Sequence, residues 1–385
     1  MQIAVAVSGG VDSLCALALL RAAGHDVLAL HGLFLPGRSA PAGQRDPLPG
    51  LEAACAILNI PLHIIDLRAT FHSQVIAPFA RAYAAGRTPN PCALCNRAVK
   101  FGALLDAAIA LGAEKLATGH YARLGPALPG SRAPVSLAAA RDAAKDQSYF
   151  LSLAPADRLQ HALFPLAGRT KAQSAALVAQ AGLEVPLPGE SQDICFVPGQ
   201  KPGRKQASGV LSGSAPASGE YADFLAAQWR ARGITPPGSG PILLADGAGG
   251  LREIARHRGL WRYTEGQRKG LGIAHSEPLY VLGKDKRHNA LVVGPRALLG
   301  MTACVAEELN VLVEPELWPG RVLARLRYRQ RPVPACARLR GGRLHIVLDS
   351  PCFPSAPGQV AAVYDADGRV LAGGIVQEID TSISG

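Results

Sequence analysis

No apolar run in the 385 residues is long enough to cross a bilayer, and no charged leader opens the chain, so neither a membrane span nor a secretory signal is expected and the cytoplasm is the expected location. Acidic residues are scarce: 29 Asp and Glu stand against 40 Lys and Arg, a formal charge of +11 that favours a polyanionic partner. Cysteine is also sparse, at 8, and in a reducing compartment these are better candidates for catalysis or metal binding than for structural disulfides. No second Cys-x-x-Cys pair and no His pair at finger spacing accompanies Cys92 and Cys95, which argues against a zinc finger. No Gly-Lys-Ser or Gly-Lys-Thr follows the glycines near the N-terminus, so there is no Walker loop. What is present is a globular balance, 48% hydrophobic and 18% charged, over a length that suits two or three domains.

The stretch that organises the rest begins with the apolar run Ile3, Ala4, Val5, Ala6, Val7, breaks at Ser8, Gly9 and Gly10, and resumes through Val11, Asp12, Ser13 and Leu14 with apolar residues at helical spacing. It reads as strand, tight loop, helix. Glycines admit close backbone approach, and a helix N-terminus offers free N–H groups and a positive dipole end, which together cradle phosphate. Ser8 and Ser13 add hydroxyls, and Asp12 is a candidate magnesium ligand or a favourable charge at the helix start.

Strand-like runs at 27–31, 62–67 and 115–118 alternate with helical patterns at 50–58, 73–85 and 97–112. The alternation predicts a doubly wound parallel α/β sheet, with ligands beyond the carboxyl ends of its strands, where Leu33, Gly119 and His120 join the glycine loop. Thr88, Pro89, Asn90 and Pro91 form a stiff loop leading into Cys92, Cys95, Arg97 and Lys100; a cysteine near a helix N-terminus beside cations is expected to have a lowered pKa. A third polar-flanked cysteine is Cys195, while Cys15, Cys55, Cys304, Cys336 and Cys352 read as packing residues. Residues 199–219 read as a basic linker, and the chain from 279 as all-β. Cations, aromatics and glycines interleave over 256–272, as a nucleic-acid contact requires. Arg321, Arg325, Arg327, Arg329 and Arg331 alternate with apolar residues, the pattern of one strand with a guanidinium-lined face.

The Ser-Gly-Gly-Val-Asp-Ser string resembles the pyrophosphate loop of the ATP pyrophosphatase superfamily. Together with Thr88 to Asn96, Ala117 to Tyr121, Lys145 to Leu151, Gln192 to Phe196 and Gly266 to Gly272, in that order, it resembles the bacterial tRNA-specific 2-thiouridylase family. The resemblance implies a pyrophosphatase-type α/β domain (1–198), a basic linker with a small central tRNA-binding domain (199–283) and a C-terminal β-barrel (284–385). It implies ATP binding at Ala6, Val7, Ser8, Gly9, Gly10, Val11, Asp12, Ser13, Leu33 and Gly119, with Mg²⁺, and the target base facing Asn90, Pro91 and Cys92. Contacts to tRNA are implied at His120, Lys145, Asp146, Gln147, Arg327, Tyr328 and Gln359.

The reaction implied is adenylation of O2 of the wobble uridine, followed by sulfur transfer with Cys95 as nucleophile and Cys195 as carrier of a persulfide supplied by a persulfide or sulfide donor protein. The chain departs from the family at Cys92, where many members have Asp. With Cys92, Cys95 and Cys195 on one rim, a [4Fe–4S] cluster holding hydrosulfide on its fourth iron is a second route, and the extra cysteine favours it. Another ATP pyrophosphatase, such as a tRNA lysidine synthase or an amide-forming ligase, would share Ser8 to Ser13 but leave both reactive cysteines without a task.

Overall fold

The structure, a computed structural model, describes residues 1–36, 46–187, 194–197 and 219–381. The linker expected at 199–219, except its last residue, and the Gln192 and Asp193 part of the cysteine motif lie outside the described residues. The N-terminal half runs β1 (Gln2–Ala6), α1 (Val11–Ala22), β2 (Asp26–Leu33), α2 (Leu48–Leu58), β3 (Leu62–Asp66), α3 (Arg68–Phe71), α4 (Ala77–Ala84), α5 (Pro91–Cys95), α6 (Leu105–Ala110), β4 (Lys115–Ala117), the hairpin β5 (Ala122–Pro126) and β6 (Val135–Ala139), α7 (Ser148–Leu151), α8 (Ala156–Leu159), β7 (Ala162–Leu163) and α9 (Lys171–Gln180).

Five of these strands form one sheet in the order β3-β2-β1-β4-β7, and every pairing in it is parallel. Ile3, Ala4 and Val5 of β1 are fully buried because helices cover both faces: Leu14, Leu17, Leu51 and Val178 on one, Phe71, Phe79, Leu105 and Ala108 on the other. The strand order reverses between β1 and β4, so the crevice at their carboxyl ends is where such sheets bind ligands.

The remainder begins with α10 (Gly219–Arg230), which packs on α4, followed by β8 (Gly240–Ala245), β9 (Leu251–His257), β10 (Tyr280–Asp285) and β11 (Ala290–Gly294). These four strands form a separate sheet in the order β10-β11-β8-β9. A boundary at 283/284 therefore cuts through β10, and the break in the topology comes after β11. Strands β12 (Met301–Val311), β13 (Val322–Arg325), β14 (Val333–Arg340), β15 (Arg343–Cys352), β16 (Val360–Tyr364) and β17 (Val370–Thr381) close into a barrel. The N-terminal domain docks on it through a shared core of Tyr149, Phe150, Leu312, Val360 and Tyr364. Asn310 Nδ2 donates to the carbonyls of Ser152 and Ala154 across the same seam, both at 2.8 Å.

The arginine row is not one strand. β13 ends at Arg325, the chain turns over 327–329, and Arg329 takes a φ of +62°, in the left-handed region and away from regular extended backbone. Arg325 points inward, 2.5 Å from the Asp146 carboxylate with both side chains nearly or fully buried.

Candidate active site

The glycine loop sits at the sheet's reversal point. Gly9 has a φ of +85°, and a Cβ there would lie 2.8 Å from Pro47, so only glycine fits without strain. The backbone N–H of Ser8 donates to Ser13 Oγ at 3.2 Å, and that hydroxyl donates to the Gly10 carbonyl at 2.9 Å, which cross-ties the turn. Gly10 is the N-cap of α1 and no side chain caps the helix, leaving its first N–H groups directed at the loop. Gly119, at the end of β4, is equally constrained: a Cβ would sit 2.7 Å from the Asp12 carbonyl carbon and 2.8 Å from the Ser13 nitrogen.

Both carboxylate oxygens of Asp12, the candidate magnesium ligand or helix-start charge, have partners. Lys171 Nζ donates to its Oδ2 at 2.6 Å, Tyr121 Oη donates to its Oδ1 at 2.9 Å, and Ser174 Oγ lies 3.0 Å from the same phenol. The carboxylate anchors a lysine at the edge of the phosphate loop, and Lys171 supplies the positive charge there. Sequence reading missed Lys171, since a lysine at the first position of α9 looks like an ordinary surface residue. Its one signal is the capping box of Thr170 and Gln173, which fixes where the helix begins.

The second wall of the site is the loop to α5. Asn90 caps α5, its Oδ1 accepting from the Ala93 N–H at 3.3 Å, so Cys92 lies in the first turn and Cys95 at its end. From Asn96 to Leu104 the helix continues with π-type i→i+5 hydrogen bonds, kinked at Gly102. Lys100, within this turn, lies close enough for its ammonium to act on the Cys95 thiol. Arg158 secures the kink by donating to the carbonyls of Phe101 at 2.8 Å and Gly102 at 3.0 Å while pairing with Asp106.

The expected lowering of the Cys95 pKa is reversed here. Burial pushes that thiol up to about 11, with the Lys100 ammonium pulling the other way and losing. Cys92 is raised for the same reason. Cys195 presents surface to solvent, yet burial of its thiol by the surrounding protein, with nearby Cys95 and Cys92 adding to the effect, pushes it up to about 12. The three thiols thus share one neighbourhood. They do not fit the expected cluster as placed: among the described residues, no three His, Cys, Asp or Glu side chains are arranged to hold a metal ion.

His120 is buried beside them. The Lys100 ammonium, a donor only, lies 3.3 Å from Nε2, which leaves Nδ1 protonated and donating to Thr118 Oγ1 at 2.7 Å. Burial, reinforced by Lys100, holds the imidazole pKa well below its usual value, so the ring is neutral. Of the other residues expected to meet RNA, Asp146 is enclosed, accepting from the N–H groups of Ala140 and Ser148 as well as pairing with Arg325. Gln147 Oε1 accepts from the Tyr121 N–H at 3.0 Å, and Lys145 stands half-buried beside them. Gln359 Nε2 donates to the Thr88 carbonyl at 2.8 Å, fastening the Thr88 to Pro91 loop to the barrel. Arg327 donates to the Glu265 carbonyl and lies 4.8 Å over the Phe353 ring, and the Tyr328 ring packs at a tilt against Phe150, 4.4 Å between centroids.

Three family profiles match in register with this architecture: a tRNA methyl transferase HUP domain over residues 1–199, a tRNA methyl transferase PRC-barrel domain over 233–295, and an aminomethyltransferase β-barrel domain over 301–376. A tRNA-specific 2-thiouridylase of Nitratidesulfovibrio vulgaris (strain DSM 19637 / Miyazaki F) is 48% identical over 377 residues, 98% of this chain and 99% of the relative. The chain belongs to the tRNA-specific 2-thiouridylase family. Its relatives of the same description in Oleidesulfovibrio alaskensis and Lawsonia intracellularis are 48% and 42% identical, each over 98% of this chain. The thiouridylase match extends through all three domains, so the phosphate loop, the cysteine loop and the barrel belong to one family assignment and not to separate borrowed modules.

Proposed function

We propose that the chain is an ATP-dependent tRNA 2-thiouridylase. What supports this most is family membership together with Gly119, packed on the Asp12 and Ser13 backbone of the phosphate loop, and its neighbour His120, which lies against Lys100, the lysine whose charge reaches Cys92, Cys95 and Cys195. A C2 carbonyl oxygen is a poor leaving group. Attack of uridine O2 on the α-phosphate expels pyrophosphate and leaves AMP on that oxygen, with the N–H groups at the start of α1 and the Lys171 ammonium meeting the developing charge. Magnesium bound to ATP would neutralise part of the triphosphate.

Sulfur arrives as a persulfide on Cys195, loaded by an external persulfide donor. Cys95, once deprotonated, attacks the Cys195 Sγ; the S–S bond of the persulfide breaks, hydrosulfide leaves and a Cys95–Cys195 disulfide forms. Hydrosulfide adds to C2, the C–O bond breaks, and AMP departs with the uridine oxygen. An external thiol then returns two electrons to the disulfide. The polyanionic substrate agrees with the net charge of +11.

Pyrophosphate release measured with ATP and tRNA, with ATP and free lysine, and with ATP alone tests the assignment. Release that requires tRNA and no amino acid is expected; release that requires lysine would assign a lysidine synthase instead. Cys92→Ala separates the sulfur routes: the two-cysteine relay keeps substantial thiolation, whereas an iron-dependent route loses it together with assayable iron and sulfide.

A further inference from the structure

Cys195 is exposed, yet the next two residues, Phe196 and Val197, are 4% and 3% exposed. The Phe196 ring enters a socket made by helices from two parts of the chain. Its centroid lies 5.6 Å from Phe71 at the end of α3, 5.1 Å from Phe79 on α4 and 5.7 Å from Phe224 on α10. The first two contacts are edge-on, the arrangement aromatic quadrupoles prefer. Phe71 in turn stacks on Phe34 at 5.1 Å, the residue after Leu33 at the end of β2, so a chain of rings connects the strand end above the nucleotide crevice to the sulfur-carrying cysteine. α10 closes the socket and is itself fixed at both ends. Tyr221 Oη donates to Tyr83 Oη at 3.1 Å, and Trp229 donates to the Ala80 carbonyl at 2.7 Å while packing edge-on against Trp261 of the central region.

We propose that Phe196 is a positioning residue of sulfur transfer: its anchoring in the Phe71, Phe79 and Phe224 socket holds Cys195 over Cys95, and α10 is the wall that keeps the anchor in place. This rests on the reading of Cys195 as persulfide carrier. A ring buried for packing alone would need no cysteine beside it, whereas here the one exposed residue of the turn Ile194 to Val197 is the thiol that shares a neighbourhood with Cys92 and Cys95.

The test compares wild type, Phe196→Ala and Phe196→Leu for disulfide formation between Cys95 and Cys195 under a diazenedicarboxamide oxidant. The oxidant takes two electrons and two protons from the thiol pair and becomes the hydrazine. tRNA-dependent pyrophosphate release and the melting temperature are measured on the same proteins. Phe196→Ala is expected to slow disulfide formation at least about tenfold, and thiolation in proportion, because small misplacements of reacting atoms are costly. Pyrophosphate release should stay within about twofold, and Phe196→Leu, which refills the socket, should recover most of the disulfide rate. If Phe196→Ala fails to fold, Phe224→Ala opens the opposite wall and carries the same expectation. Disulfide formation at the wild-type rate in either variant would overturn the proposal. Should Cys195→Ala thiolate tRNA normally, the carrier reading itself would fall; if Cys195→Ala is inactive and Phe196→Ala is normal, only the anchor falls.

Discussion

The Cys95 thiol, held at about 11 chiefly by burial, is protonated in the free protein at neutral pH. Alkylation of Cys95 by iodoacetamide should therefore climb roughly tenfold per pH unit beyond neutrality and level only near pH 11. A plateau at about 8.5, the value for an unperturbed cysteine, would contradict it. The linkage has a definite sign. The folded state holds this proton more tightly than the unfolded chain, so its stabilising contribution is complete below the unfolded pKa and is lost as pH rises through about 11. Lys171, tied to Asp12, gives a second residue-scale expectation: Lys171→Met should reduce pyrophosphate release by about 10²-fold with tRNA affinity little changed. An equal loss in both would mean that the lysine serves folding alone. Arg325 differs again. Its guanidinium pairs with buried Asp146, so Arg325→Ala should cost about 3–5 kcal/mol in denaturant unfolding while leaving the salt dependence of tRNA binding unchanged.

Among the elements, the β4 end and the kinked helix after Cys95 matter most. Gly119→Ala would drive a methyl into the backbone of Asp12 and Ser13, and the loop must shift. Near-complete loss of ATP turnover is expected, with a stability cost of about 1–3 kcal/mol by thermal unfolding. Turnover retained at the wild-type rate would show that the phosphate loop tolerates displacement. The elements themselves were largely legible: the apolar run of β1, the periodicity of α1 and the glycine break between β1 and α1 are local signals that the parallel sheet only confirms. The arginine row was not. Alternation with period two is the same whether a strand continues past Arg325 or turns, and the partner that draws Arg325 inward lies 179 residues away in the sequence. The π-helical turn was equally hidden, because nothing local distinguishes i→i+5 from i→i+4 bonding over residues 96–104, and the Arg158 clamp on its carbonyls comes from a separate helix.

At the scale of the molecule, three domains converge on the segment that leads to the cysteines. Lys284, from the central sheet, donates to the Gly86 carbonyl at 2.9 Å and pairs with Glu265 at 3.7 Å, both side chains buried; Thr88 Oγ1 lies 3.3 Å from Thr264 Oγ1; and the Thr88 N–H donates to the Pro357 carbonyl of the barrel at 2.8 Å. Lys284→Met should cost about 3–5 kcal/mol by stranding Glu265, and adding Glu265→Leu should restore much of it. A double variant as unstable as the single would show that the carbonyl contact to Gly86, and not the ion pair, holds the seam. The candidate site was legible from the sequence as far as its loops, because the motifs are contiguous; its charge state was not, because burial of the thiols and the neutrality of His120 arise only when the loops, α6 and the barrel close around them.

The central claim is that ATP activates the uridine oxygen itself before sulfur replaces it. tRNA carrying a heavy-oxygen label at O2 of the wobble uridine, incubated with the protein, ATP, magnesium and a persulfide donor, tests this most directly, with nucleosides and AMP both analysed by mass spectrometry. The account predicts 2-thiouridine at that position and one labelled AMP for each thiouridine formed. Thiolated tRNA accompanied by unlabelled AMP, or labelled oxygen recovered in water or phosphate instead, would contradict it.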